Sequence, residues 1–201
     1  MRKSVYLLSM VILCACGSND KDVDKNEASK SSAMVNSERQ SSAFTQSATK
    51  LLNAYYAIKD ALVEYDTVAA NKGAELLITA SDSLKMDDAR ADSALVLTVN
   101  SLKGSISAES KGLIGETDIT AKRRSFSMIT ENLYPLLQAI RYDGHVVYHQ
   151  LCPMAFNDSE TATWLSNSRE VVNPYLGKKH PKYAAGMLHC GEVKDSLAYH
   201  P

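Results

Sequence analysis

The sequence predicts a mainly α protein: an antiparallel four-helix bundle with a small, loop-rich, partly β C-terminal motif packed on it. Three observations predict it. Apolar residues across 45–143 recur at steps of three and four, the period that gives a helix one apolar face. Short polar turns separate the segments with that period, which makes neighbouring helices antiparallel. Beyond Gly144 the texture changes: all five histidines, the only tryptophan and four of the five prolines lie there. A tail of that size, 144–201, has too little apolar mass for its own core and is expected to pack on the bundle.

The elements run in order along the chain. Ala48, Leu51, Tyr55, Ile58, Leu62 and Tyr65 form the stripe of a first helix. Asp66 and Thr67 look like the N-cap of a second, which carries Ala69, Leu76, Ala80 and Leu84. Asp87 and Asp88 open a third, with Leu95, Val99, Leu102 and Ile106 as its stripe. After Gly112 and Gly115, Thr117 or Asp118 caps a fourth that carries Ile119, Phe126, Ile129, Leu133, Leu137 and Ile140, with a kink expected at Pro135. No Glu, His or Cys at ligand spacing interrupts these stripes, so they read as plain core. Lys122, Arg123 and Arg124 read as a solvated basic face. In the tail, "GHVVYHQL" from Gly144 reads as a strand, and "FNDSE", "NPYLG" and "KKHPK" read as turns. Trp164 is expected to anchor the tail on the bundle; the alternative is a cation–π contact over a bound ion.

The N-terminus sets the compartment. Arg2 and Lys3 precede an apolar run, Val5 to Leu13, that is too short to cross a bilayer and has the form of a signal peptide. The ending Leu13-Cys14-Ala15-Cys16 resembles a bacterial lipobox. It implies a lipoprotein signal over 1–15, cleavage before Cys16 and lipidation of that thiol with palmitate-type chains. Residues 16–44 are polar and charged and are expected to form a disordered tether. The chain carries a formal net charge of −1, and loss of Arg2 and Lys3 takes it to −3. Neither value suits a nucleic-acid partner, which needs a strongly basic face.

Two cysteines then remain, Cys152 in "YHQLCPMAF" and Cys190 in "GMLHCGE". Each has a methionine close by, Met154 and Met187, and a histidine, His149 and His189. Soft, low-charge ions such as Cu(I) and Ag(I) are satisfied by a few thiolate, thioether or imidazole ligands. Four sulfurs, or three sulfurs with one imidazole from His149 or His189, would complete such a site. On a strand His149 and Cys152 point to opposite faces, which ranks His149 below the sulfurs; His145 ranks lower again, as an exposed residue. The competing reading is a Cys152–Cys190 disulfide closing a 39-residue loop, worth about 2–4 kcal/mol, in a compartment that favours oxidation. It would staple a protein-interaction domain. An enzyme is the weakest reading. A low-pKa cysteine activated by His149 or His189 is conceivable chemically, but neither a Cys-x-x-Cys pair nor a Gly-rich oxyanion loop accompanies it.

The motifs "YHQLCPMAF", "WLS" (Trp164–Ser166), "NPYLG" (Asn173–Gly177) and "MLHCGEV" (Met187–Val193), in that order, resemble a domain family of unassigned function in Gram-negative envelopes. That family occurs as stand-alone lipoproteins and appended to periplasmic adaptor subunits of heavy-metal efflux pumps. "DITAKRRSFSMITENLYPLLQA" (Asp118–Ala139) resembles the helix before its cysteine motif, and the likeness covers roughly residues 48–193. The resemblance implies a four-helix domain with a metal-associated Cys-Pro-Met loop, lipid anchoring in the envelope on its periplasmic side or at the surface, and efflux adaptor or pump proteins as partners. The insertion "KKHPKYAAG" before Met187 departs from the family pattern and leaves His180 without a counterpart.

Overall fold

The computed structural model describes residues 42–86 and 92–199, all within one compact unit, Gln40–Pro201. The expected signal peptide, Cys16 and nearly all of the tether lie outside the described residues, as do Asp87 and Asp88. Four helices come first: α1 (Ser42–Glu64), α2 (Thr67–Ser83), α3 (Ser93–Gly115) and α4 (Ile119–Ala139). Three strands come after them: β1 (Val147–Phe156), β2 (Glu160–Ser166) and β3 (Glu192–Leu197), in an antiparallel sheet of order β2-β1-β3. The fold is mainly helical with a small β part at its end. No helix among the described residues is long and apolar enough to cross a membrane.

Three of the helices begin on an aspartate, whose carboxylate accepts a first-turn N–H that would otherwise be orphaned. Asp66 accepts from Ala69 at 2.8 Å, Asp92 from Ala94 at 3.3 Å and Asp118 from Ala121 at 2.9 Å. The third helix thus starts at Ser93 behind Asp92, later than the two aspartates expected to open it. The first begins at Ser42, so residues 42–44 are helical and Phe44 is buried. α4 continues through Pro135, although the ring removes one intrahelical hydrogen bond.

α1 buries the expected stripe from Ala48 to Leu62 completely, while Tyr65 falls just past the helix in the left-handed region at φ 62°. α2 corrects the sequence reading. Its buried face is Ala70, Gly73, Ala74, Leu77 and Ser81, while Leu76 is 59% exposed. The reason is the closeness of α1. A Cβ on Gly73 would lie 2.8 Å from Ile58 Cγ1 and 3.0 Å from its backbone N, so only the small-residue face of α2 fits there.

The basic triplet is also corrected. Lys122 and Arg123 are 2% and 3% exposed, and only Arg124 faces solvent. Lys122 Nζ donates to Asn71 Oδ1 and to the Leu113 carbonyl, both at 2.7 Å, joining α2 and the end of α3 to α4. Arg123 Nη2 donates to the Leu62 carbonyl at 3.1 Å, and its guanidinium lies 4.2 Å from the Tyr65 ring centroid. Arg124 pairs with both oxygens of Glu160, at the start of β2.

The sheet docks through β2, which packs on α4 and α1. Tyr55 is the joint: its hydroxyl bonds Thr130 on α4 at 2.7 Å and accepts the Leu165 N–H of β2 at 3.0 Å. Its ring stacks on Phe126 with centroids 4.9 Å apart. Trp164 is fully buried and edge-on to Tyr175, a contact within the tail; Tyr175 in turn meets Phe126 of α4 with ring centroids 6.0 Å apart, so it is Tyr175 that reaches the bundle.

Candidate metal-binding site

The site grows out of an irregularity in the central strand. β1 pairs regularly with β2 from Tyr148↔Ser166 to Cys152↔Ala162, then jumps to Phe156↔Glu160. Four steps on β1 match two on β2, which is a bulge. Pro153 accounts for it, since a residue without an N–H is tolerated in a central strand only where the ladder breaks. Cys152, Pro153 and Met154 therefore occupy the point where β1 stops being an ordinary ladder.

On the other side β1 pairs with β3 only as far as Leu151↔Glu192. The chain entering β3 brings Cys190 to that point. Gly191 sits at φ 137°, and a Cβ there would lie 2.5 Å from the Leu151 carbonyl oxygen and 3.0 Å from Trp164 Cη2. Only glycine permits this approach, and it presses the backbone next to Cys190 onto the strand next to Cys152. The two thiols meet with Sγ atoms 3.5 Å apart, and both are free. Cys152 is fully buried and Cys190 half-buried. Burial, reinforced by its hydrogen bond to Cys152, pushes the Cys190 thiol up to about 11.

Met154 and Met187 are both half-buried and packed against the core. Met187 is tied to the site by a turn in which the Cys190 N–H donates to the Met187 carbonyl at 3.0 Å. The histidines do not join. His149 lies on the opposite face from Cys152, its ring 4.1 Å from that of Tyr134 and across the ladder from Asp195. Burial, with help from Lys194, lowers its pKa. His189 is exposed and its Nδ1 sits 2.7 Å from the Val171 carbonyl oxygen. His145 is half-buried rather than exposed: its ring nitrogens face Tyr142 Oη at 3.0 Å and Tyr56 Oη at 3.2 Å. His180 accepts the N–H groups of Lys182 and Tyr183 and stacks on Tyr183, holding the inserted loop. Among the described residues, no three His, Cys, Asp or Glu side chains come together to hold an ion. What the fold assembles is a dithiol with two thioethers close by in sequence.

Sequence reasoning read Asn173 only as part of a turn, yet it organises the thiol loop. Fully buried, it accepts from the Tyr175 N–H at 2.8 Å and the Leu176 N–H at 3.0 Å, and donates from Nδ2 to the Cys190 carbonyl at 2.7 Å. The signal for it was the Asn-Pro pair, which favours a turn closed by the asparagine side chain. Arg123 grips the same turn, donating from Nε to the Pro174 carbonyl at 2.8 Å.

No curated protein and no solved structure matches the chain. Residues 51–143 match the model of a family described as a protein of unknown function (DUF3347), a match that runs from within α1 past the end of α4 and stops before the strand that carries Cys152.

Proposed function

We propose that Cys152 and Cys190 form the heart of a soft-metal site taking Cu(I) or Ag(I), in an envelope lipoprotein anchored through Cys16. Its role is to hold the ion for, or pass it to, an efflux adaptor or pump. The observation that carries this reading is the pair of free thiols at 3.5 Å. Two sulfurs on one tetrahedral ion with bonds of about 2.3 Å stand about 3.8 Å apart, so both thiols reach one ion almost without moving. Thioethers from Met154 and Met187 suit an oxidising compartment, because they need no deprotonation and cannot be lost to a disulfide. Binding expels the thiol protons, and with Cys190 held up near 11 the affinity rises with pH.

The same separation favours one rival. Closing the pair to the ~2.05 Å of a disulfide takes a small side-chain movement, giving a staple across the tail. In the envelope the metal and the oxidant compete for one dithiol.

A Cu(I) competition titration on the reduced protein, under anaerobic conditions with a chromophoric chelator as rival, separates the two. The metal reading expects one equivalent held by the wild type, lost in Cys152→Ser and Cys190→Ser. It expects an affinity at least about tenfold weaker in the Met154→Leu/Met187→Leu double variant, which loses two thioether ligands. If the wild type leaves all the copper with the chelator, the pair is a staple.

A further inference from the structure

We infer that Asn173 is a positioning residue for the thiol pair: its carboxamide holds the Cys190 backbone in place and so sets how readily the two sulfurs act together. The inference rests on the dithiol being the working site, whether metal or disulfide is its product.

The geometry singles out this side chain. Asn173 is fully buried, and every polar group of the residue is used. Its carboxamide oxygen closes the turn on the Tyr175 and Leu176 N–H groups, which fixes the orientation of the amide. The amide nitrogen is thereby aimed at the Cys190 carbonyl, 2.7 Å away. The backbone repeats the clamp: the Asn173 N–H donates to the Leu188 carbonyl at 2.8 Å, and its carbonyl accepts from Gly177 at 2.9 Å. The turn in turn is fixed to the bundle, because Arg123 binds Pro174 and Leu62 together and Lys178 N–H donates to the Val63 carbonyl at 2.9 Å. An unbroken series of hydrogen bonds runs from the end of α1, through α4, to the residue that bears the more accessible thiol. Cys152 is fixed by its strand. Cys190 comes after a long loop, held besides by the Met187 turn and the close approach at Gly191, so loss of the Asn173 bond falls on the meeting of the thiols.

Asn173→Asp tests the effect. The carboxylate still accepts both turn N–H groups, but it offers no N–H to the Cys190 carbonyl and sets an acceptor against an acceptor there. Tyr175→Phe is the control: it removes the hydroxyl that donates to the Thr163 carbonyl from the same turn and leaves Asn173 intact. The readout is the equilibrium of the full chain with glutathione. Cys152–SH and Cys190–SH give two electrons and two protons to glutathione disulfide, an S–S bond forms in the protein and two glutathione thiols are released. The constant reports the effective concentration of one thiol at the other and involves no metal.

Relative to wild type, the constant is expected to fall at least about tenfold in Asn173→Asp, the scale of one buried hydrogen bond lost, and to stay within about twofold in Tyr175→Phe. Urea midpoints measured on both variants report the turn's stability separately. Should Asn173→Asp match the wild-type constant, or should Tyr175→Phe lower it equally for the same loss of stability, Asn173 does no positioning. Copper affinity of the wild type is measured apart from this, so the positioning inference and the metal reading fail independently.

Discussion

At the scale of single residues, the chemistry turns on the protonation of one thiol. Burial and the neighbouring thiol hold Cys190 protonated up to about 11, above its usual value. The thiolate is the reactive form, so at neutral pH Cys190 holds little of it and is a poor nucleophile. Alkylation by iodoacetamide is expected to run at least about tenfold slower than for glutathione at pH 8, because so little thiolate is present. The sign comes from the raised pKa: the rate should go on climbing past pH 9 and level off only near 11. A rate like that of glutathione, saturating below pH 9, would show an activated cysteine instead. A soft ion does not need the free thiolate beforehand, since it displaces the proton as it binds.

At the scale of elements, the site is the product of helix packing as much as of its own loop. Arg123 projects from α4 into the gap between the end of α1 and the Asn-Pro-Tyr turn. There it satisfies two carbonyls that water does not reach. Replacing it with methionine keeps much of the stem and strands both acceptors. A loss of about 2–6 kcal/mol in urea unfolding is expected, from two buried groups at about 1–3 kcal/mol each. A change under about 0.5 kcal/mol, the size of an ordinary surface substitution, would contradict the role given to Arg123. This pair of buried cations was partly legible. Ile119, Lys122, Arg123 and Phe126 step by three and four, so both cations lie on the apolar stripe of α4 itself. Charge drew them to the surface in the sequence reading; the stripe placed them inside. The slip on α2 has a different cause. Ala69, Leu76 and Ala80 fit a helical period as well as Ala70, Ala74 and Leu77 do, and the choice was made by how closely α1 approaches at Gly73. That distance belongs to the tertiary structure and leaves no mark in a periodicity.

At the scale of the whole molecule, the change from helical segments to a partly β tail was legible from composition, as was the order of the four helices and the first strand; β2 and β3 were not read from the sequence. The stripes of α1, α3 and α4 and the caps at Asp66 and Asp118 are local signals, and these survive into the fold. The meeting of Cys152 and Cys190 was legible only as a pairing of residue types. Their 3.5 Å separation depends on a bulge at Pro153, a glycine at 191 and an asparagine at 173, on segments far apart in the chain. The histidines show the converse: each sits near a cysteine in sequence, yet strand alternation turns His149 to the far face, and His189 remains at the surface. The family match over residues 51–143 ends before the strand that bears Cys152. The proposed binding of a soft ion through the sulfurs of this tail is tested by X-ray absorption at the copper edge of the Cu(I)-loaded, reduced protein. A first shell of sulfur is expected, with scattering from Met154 and Met187 removed by their replacement with leucine. A shell dominated by nitrogen or oxygen, or copper that washes away before it can be measured, would contradict it.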